Sequence, residues 1–531
     1  MLVAVTAAAG CSRPGSAVSN ASLTVALPIA PNNLNPILST DSSEAFVDDL
    51  MFAKLVTMDT HHAQVPDLAA TVPTLANGGI SRDGLTITYH LRHDATWTDG
   101  VPVTSADVKY SYEQVNNPSN NVISRHGFDQ IRSVDTPDKW TVVLHMKQLF
   151  PPIVDAFFGE SDEPYDILPA HVLAKYSNLN NIPFNAEPTV TDGPYRFARW
   201  VRGDRVELTA NDQYFRGAPA INHLDVKIMT DTNTVTAQLR TGETQLGLEL
   251  TGPSYRNLDN ESRLTRLAIS APVYDSLLLN CGRSVLSDRN LRVALAYATD
   301  RRTITRDNEF GEATIAAGDL SPFSWAYDQA VHAQPYDPAK ARALLDADGW
   351  KLGPGSIRVK DGKKLSLLFV YGTGSDIARD IVVQLQQMWR AVGIEVQPKS
   401  FPYAQLYAPQ QSGGIYASGK YDVGFYAWVS GRDPDDSSQF LSGAIPPNGN
   451  NFSFYRSARM DALQHEALST FNVAARKRAY AQIQQLIVDD VPQMMLFYRL
   501  MLYAHAPQLS NFTPNGVGEA WNAQAWTFTS P

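Results

Sequence analysis

Two cysteines in 531 residues, Cys11 and Cys281, are too few for a disulfide framework or a Cys-based zinc site. No basic run exists, and 44 Lys and Arg stand against 54 Asp and Glu for a net charge of −10. The footprint that phosphate backbones demand is therefore missing, and nucleic acid is not an expected partner. No stretch approaches the roughly 18 consecutive apolar residues of a bilayer span. G-x-S-x-G, H-E-x-x-H, G-x-G-x-x-G and P-loop patterns are all absent, as are internal repeats and low-complexity tracts. Nothing here calls for a catalytic centre, a cofactor or a metal. His61-His62 diverge as neighbours, His90 and His93 flank a strand end, and Gly372-Thr373-Gly374-Ser375 lacks the lysine of a phosphate loop. That last run reads as a strand-to-helix turn with Ser375 or Asp376 as cap. What the chain does have is 44% apolar and 18% charged residues, enough for several cores, and a length suited to about three or four structural units.

Alternation places strands at Leu23–Leu27, Thr86–Leu91, Trp140–Met146, Arg205–Leu208 and Leu224–Ile228. Between the second and third lies a helix capped by Thr104, with Asp107 three residues on and Val108, Tyr112 and Val115 as its stripe. After about residue 285 helices dominate. Asp288 caps one, Asp337-Pro338 starts another that closes at Gly349, and Ile377, Ile381, Leu385 and Met388 mark a third that Gly393 stops. A further helix spans Ala474 to Ile487 and ends at Pro492. A sheet-rich first half and an α/β second half suggest two lobes. Residues Met1 to Gly10 are apolar and small, and Ala8-Ala9-Gly10-Cys11 resembles a bacterial lipobox, in which the cysteine thiol carries the lipid. Cys11 is the expected lipidation site, so the protein is expected outside the cytoplasm on a membrane anchor.

Residues 83 to 113 carry, in order, an aromatic strand, Leu91-Arg92, Trp97-x-Asp99-Gly100-x-Pro102-Val103-Thr104 and Asp107-Val108. That segment resembles the family 5 extracellular solute-binding proteins, the oligopeptide and dipeptide receptors of ABC importers. Further matches are Asn33-Leu34-Asn35-Pro36, Asp192-Gly193-Pro194-Tyr195, Tyr214-Phe215-Arg216-Gly217, Arg292-x-Ala294-Leu295-Ala296-Tyr297 and Tyr421-Asp422-Val423-x-x-Tyr426-x-Trp428. The resemblance covers nearly all of residues 22 to 510.

The resemblance implies an α/β, two-lobed periplasmic-binding-protein-like fold of the large peptide-receptor type, with three domains. Residues 1–21 would be signal and linker, residues 22–57, 190–268 and 498–531 a discontinuous domain I, residues 58–189 domain II and residues 269–497 domain III. It further implies a monomeric, non-enzymatic receptor that encloses a peptide between its lobes and delivers it to a membrane permease. Ala30, Pro31 and Asn32 at the front and Tyr426, Trp428, Gly431 and Asp433 in domain III are the expected ligand contacts. Peptide-binding members carry an Asp three residues after the tryptophan, where this chain has Gly431, so Asp433 is the substitute anchor for a ligand ammonium. Asp433 or Asp435 capping a turn is the other reading of that loop. A receptor for an oligosaccharide or metal chelate is the alternative, and a secreted hydrolase a distant one.

Overall fold

The computed structural model describes residues 21–161 and 165–529; the expected lipidation site, Cys11, lies outside them. One large mixed sheet runs through the molecule. In spatial order its strands are Glu395–Phe401, Ser366–Gly372, Val423–Val429, Thr265–Leu279, Gln493–His505, Leu246–Gly247, Ser22–Leu27, His223–Ile228, Arg205–Ala210 and Tyr195–Val201, with Ala313–Ile315 paired onto Gln493–His505. Parallel pairs lie on both sides, Ser22–Leu27 with His223–Ile228 and Ser366–Gly372 with Glu395–Phe401. Between these blocks the two longest strands, Thr265–Leu279 and Gln493–His505, form an antiparallel ribbon.

The ribbon joins two cores. Leu267, Ile269 and Met501 pack against the cluster that holds Leu23, Val25, Phe46 and Leu50, while Leu277, Met494 and Phe497 belong to the cluster of Phe369, Leu385 and Trp389. The register slips between Ser270 and Tyr274. Pro272 falls inside that slip, and having no N–H it could not donate to a ladder. The sheet thus runs through both halves, and the ribbon is the part that hydrophobic alternation does not reveal. Ribbon residues such as Leu277-Leu278-Leu279 are buried on both faces, so their run carries no alternation to read.

A second, three-stranded antiparallel sheet of Thr86–His90, Thr141–Met146 and Ile131–Asp138 carries the helix Ser105–Asn116. The capping box read from Thr104 and Asp107 is present there, with Thr104 N–H donating to Asp107 Oδ2 at 2.8 Å. Asp337 caps the helix Pro338–Ala347, and Ser375 caps Asp376–Arg390 by accepting from the Ala378 N–H. The stripe of the latter helix keeps Ile381, Leu385 and Met388 from expectation and differs at its ends. Ala378, Ile381, Val382, Leu385 and Trp389 are buried, whereas Ile377 is 40% exposed. The helix expected from Ala474 extends over Val473–Asp490 and ends with Val491 in the left-handed region.

Candidate functional site

In open α/β sheets, ligands bind outside the carboxyl ends of the parallel strands. The carboxyl ends of the two parallel blocks run in opposite directions, each toward the middle of the ribbon; there the strand Ser22–Leu27 is followed by the turn 28–33, Ser366–Gly372 by the glycine turn, Glu395–Phe401 by the short helix Tyr403–Leu406, and Val423–Val429 by the loop 430–436. The sites expected from sequence fall on the first and last of these.

The front turn is held from inside by Glu44, which is fully buried. Its Oε1 accepts from the N–H of Asn32 at 2.7 Å and of Asn33 at 3.3 Å, and its Oε2 from Thr40 N–H at 2.6 Å. Arg202, stacked on Trp200 at 3.3 Å, donates to the Asn32 carbonyl at 3.0 Å. Pro31 is buried, and Ala30 and Asn32 are exposed. Among the described residues no hydrogen bond engages the N–H or C=O of Ala30. The result is a rigid turn with one unpaired, solvent-facing peptide unit.

On the other side Ser430 N–H donates to the Pro272 carbonyl at 2.7 Å, and the chain then leaves the sheet. Gly431 makes no backbone hydrogen bond among the described residues. Trp428 is half-buried, and its ring stacks on Tyr426 with centroids 6.1 Å apart. Tyr426 is 1% exposed and belongs to an aromatic cluster with Tyr416, Tyr421 and Phe452. It supports Trp428 rather than presenting its own face.

Asp433 is not a free carboxylate. Arg476, from the helix Val473–Asp490, donates Nη1 and Nη2 to its two oxygens, each at 2.5 Å, and the side chains are 9% and 5% exposed. Asp433 Oδ1 also accepts from Asp435 N–H at 3.1 Å, and Asp435 Oδ1 from Ser437 N–H at 3.0 Å. The turn-capping reading therefore describes the geometry of both residues. Arg432 points the other way. It donates Nε to the His62 carbonyl at 2.8 Å and sets Nη1 at 3.2 Å from Asp155 Oδ2, so the loop bridges to the part of the chain across the sheet edge. Burial raises the Asp155 carboxyl above its ordinary range, and Arg432 opposes that.

Two charges that sequence reading missed sit beside this edge. Asp275, fully buried, accepts from Arg499 Nε at 2.6 Å and Nη2 at 2.7 Å, and the Arg499 side chain is 43% exposed. Nη1 takes no part in that pair. Glu309 lies near both, its carboxyl pushed up to about 7 by burial, with Arg499 opposing and Asp275 adding to the rise. Tyr403 and Tyr407 stack at 6.4 Å and are 52% and 42% exposed. The signal was present in principle. Asp275 and Arg499 are charges set within apolar stretches of their strands, and two such stretches pair favourably when the charges meet.

Rigid walls, a half-buried tryptophan, unpaired peptide groups and a few convergent charges suit the capture of a polar solute. Among the described residues no His, Cys, Asp and Glu cluster could hold a metal ion, and no helix is long and apolar enough to cross a membrane. The oligopeptide-binding protein AppA of Bacillus subtilis is 25% identical over 93% of this chain and 89% of its own length. The glutathione-binding protein GsiB of Salmonella choleraesuis is 28% identical over 82% of this chain and 81% of its own. The crystal structure of NikZ from Campylobacter jejuni in complex with Ni(L-His) superposes with a TM-score of 0.77 at 27% identity, covering 95% of this chain and 99% of that one. The sequence model described as bacterial extracellular solute-binding proteins, family 5, matches residues 65–451, and with that span and fold the chain belongs to this family.

Proposed function

We propose that the protein is the substrate-binding component of an ABC importer, capturing peptides in the crevice at the sheet edge and presenting them to a membrane permease. The observation that carries this reading is the pairing of two walls whose outermost peptide units, at Ala30 and Gly431, are unpaired and held on rigid supports. An extended peptide adds to such edges by main-chain hydrogen bonds, while its side chains occupy hydrated pockets. Trp428 supplies a flat apolar contact and Arg499, through Nη1, a donor for a ligand carboxylate. The names of AppA and GsiB, an oligopeptide binder and a glutathione binder, support peptide chemistry. Domain I is taken as residues 22–57, 190–268 and 498–531, domain II as 58–189 and domain III as 269–497. In support of domain III, the buried core of Leu277, Phe369 and Leu385 lies within 269–497, while the core of Leu23 and Phe46 draws its buried members from the domain I and domain II ranges together. The anchoring at Cys11, the monomeric state and the absence of turnover belong to the same proposal.

The departure at Gly431 favours a second reading. Asp433 is held by Arg476, so the loop offers no uncommitted carboxylate at the position where peptide-binding members read the ammonium, and NikZ shows that a relative takes an amino-acid chelate of nickel. A thermal-shift screen of free and N-acetylated peptides, oligosaccharides and Ni(L-His), followed by calorimetry, separates the two. Binding to the folded state alone raises the melting temperature by mass action. Peptides should raise it and be recovered intact. A shift with Ni(L-His) or a sugar and none with any peptide would overturn the peptide reading, and released fragments would overturn the receptor reading.

A further inference from the structure

Of the large aromatic side chains exposed among the described residues, Phe310, Tyr336, Tyr403 and Tyr407, only the last two touch each other. They begin a row of rings. Tyr403 lies 6.4 Å from Tyr407, Tyr407 6.2 Å from Tyr426, and Tyr426 6.1 Å from Trp428, with successive tilts of 16°, 31° and 23°. The row is held in place. The ring of Tyr416 stands edge-on to Tyr407 at 5.2 Å, and a Cβ at Gly372 would collide with the ring of Tyr403, so the bare glycine is what lets that ring settle on the backbone. Neither exposed ring has to be ordered when a ligand arrives, and an aromatic contact contributes most when that ordering is already done.

Strand register brings a charge to the same level. Val370 pairs with Gly424, so Gly372 stands level with Tyr426, and the next residue, Ala427, is the partner of Asp275. Asp275 takes Nε and Nη2 of Arg499 and leaves Nη1. The Tyr403 phenol lies close enough to support the Arg499 charge. A guanidinium with one uncommitted nitrogen beside two exposed rings suits a carboxylate that carries an aromatic group on the same residue, as at the carboxyl end of a peptide ending in Phe, Tyr or Trp. Resting on the peptide reading above, we propose that Tyr403 and Tyr407 determine specificity: they take the aromatic side chain of the ligand's last residue while Arg499 Nη1 takes its carboxylate. A neutral oligosaccharide would also stack on the rings, but it leaves the guanidinium without a charge partner.

The test exposes the purified full chain to random peptide libraries of several lengths, with free and with amidated carboxyl ends, and reads the retained peptides by mass spectrometry. Phe, Tyr and Trp should be enriched at the last position, and only there, by about tenfold or more over the input, the order expected for burying one such side chain. Amidation should remove the enrichment. Tyr403→Ala combined with Tyr407→Ala should abolish it, and Gly372→Ala, which dislodges the Tyr403 ring without removing it, should lower it. Retained peptides without that bias, a bias at another position, or one that survives amidation or the double variant would overturn the inference and leave the peptide reading standing. Retention of no peptide at all would overturn both. The wild-type enrichment and its loss on amidation decide the matter even if a variant fails to fold.

Discussion

Replacing Asp433 by Asn removes the charge and turns the Oδ2 acceptor into an amide donor facing Arg476 Nη1, while an oxygen remains for the Asp435 N–H. The Arg476 guanidinium then remains buried, its side chain 5% exposed, with Nε still on the Ala467 carbonyl at 3.0 Å and its face toward Trp325 and Tyr480. Burial alone would depress its basicity, and Asp433 more than offsets that. Breaking one side of a buried pair typically costs about 3–5 kcal/mol. In a cooperative unit of about 150–250 residues, each kcal/mol shifts the melting temperature by roughly 2–4 °C, so the loss should be roughly 6–20 °C. Adding Arg476→Met should restore most of it, because the orphaned charge is gone and the aromatic contacts remain. Scanning calorimetry of the two single variants and the double variant supplies the cycle. Peptide affinity is measured alongside, with free and acetylated amino ends. If Asp433→Asn melts with the wild type and loses only its preference for the free amino end, Asp433 faces the ligand and the bracing role argued from Arg476 is wrong.

Glu309→Gln probes the raised carboxyl beside Arg499. The folded state holds its proton up to about pH 7, against an ordinary value of 4.5, so wild-type stability should fall as pH rises through that window, by at most about 3 kcal/mol. The Gln variant should lack that fall and overtake the wild type above pH 7; parallel stability curves would refute it. Arg432→Ala leaves buried Asp155 without its guanidinium, with only the Gln64 amide still donating to it, and removes the link to the His62 carbonyl; charge-assisted hydrogen bonds contribute about 1.5–3 kcal/mol each. Ligand affinity should therefore drop about tenfold or more, and the ligand-free protein should have a larger radius of gyration in solution scattering, an unchanged radius counting against a closing role. Cys11→Ser should move the protein from the membrane fraction to the soluble one. Retention after a salt wash would place the anchor elsewhere.

The local rules of the chain were legible because each acts within four residues. Thr104 with Asp107, Asp337 before Pro338 and Ser375 before its helix all place the caps where the chain has them. The family was legible through specific matches. What escaped was long-range. Nothing near Asp433 announces Arg476, 43 positions on, and Asp275 and Arg499 are separated by 224. Without those partners Asp433 reads as an available carboxylate and Asp275 as an oddity in an apolar strand. The helix Asp376–Arg390 shows a smaller version of this. Its buried face is chosen by the core beside it, which takes Trp389 and leaves Ile377 to solvent; spacing alone gave Ile381, Leu385 and Met388 but missed the ends of the stripe.

The slip in the ribbon has a mechanical meaning. The longest pair of strands links the two cores, and its ladder is interrupted between Ser270 and Tyr274, with Pro272 in the gap. A beam cracked near mid-span should flex most there, and a second, one-residue slip between Asp275 and Ser276 lies just beyond. Bending at this point breaks few hydrogen bonds, because the interruption is already built into the resting shape, and the strand halves on either side stay clamped in their own cores. Amide exchange along the ribbon should accordingly be slow at Leu267 and at Leu277 and fast between them. A substitution that closed the gap, such as Pro272→Val, would stiffen the whole receptor from a position that touches no solute.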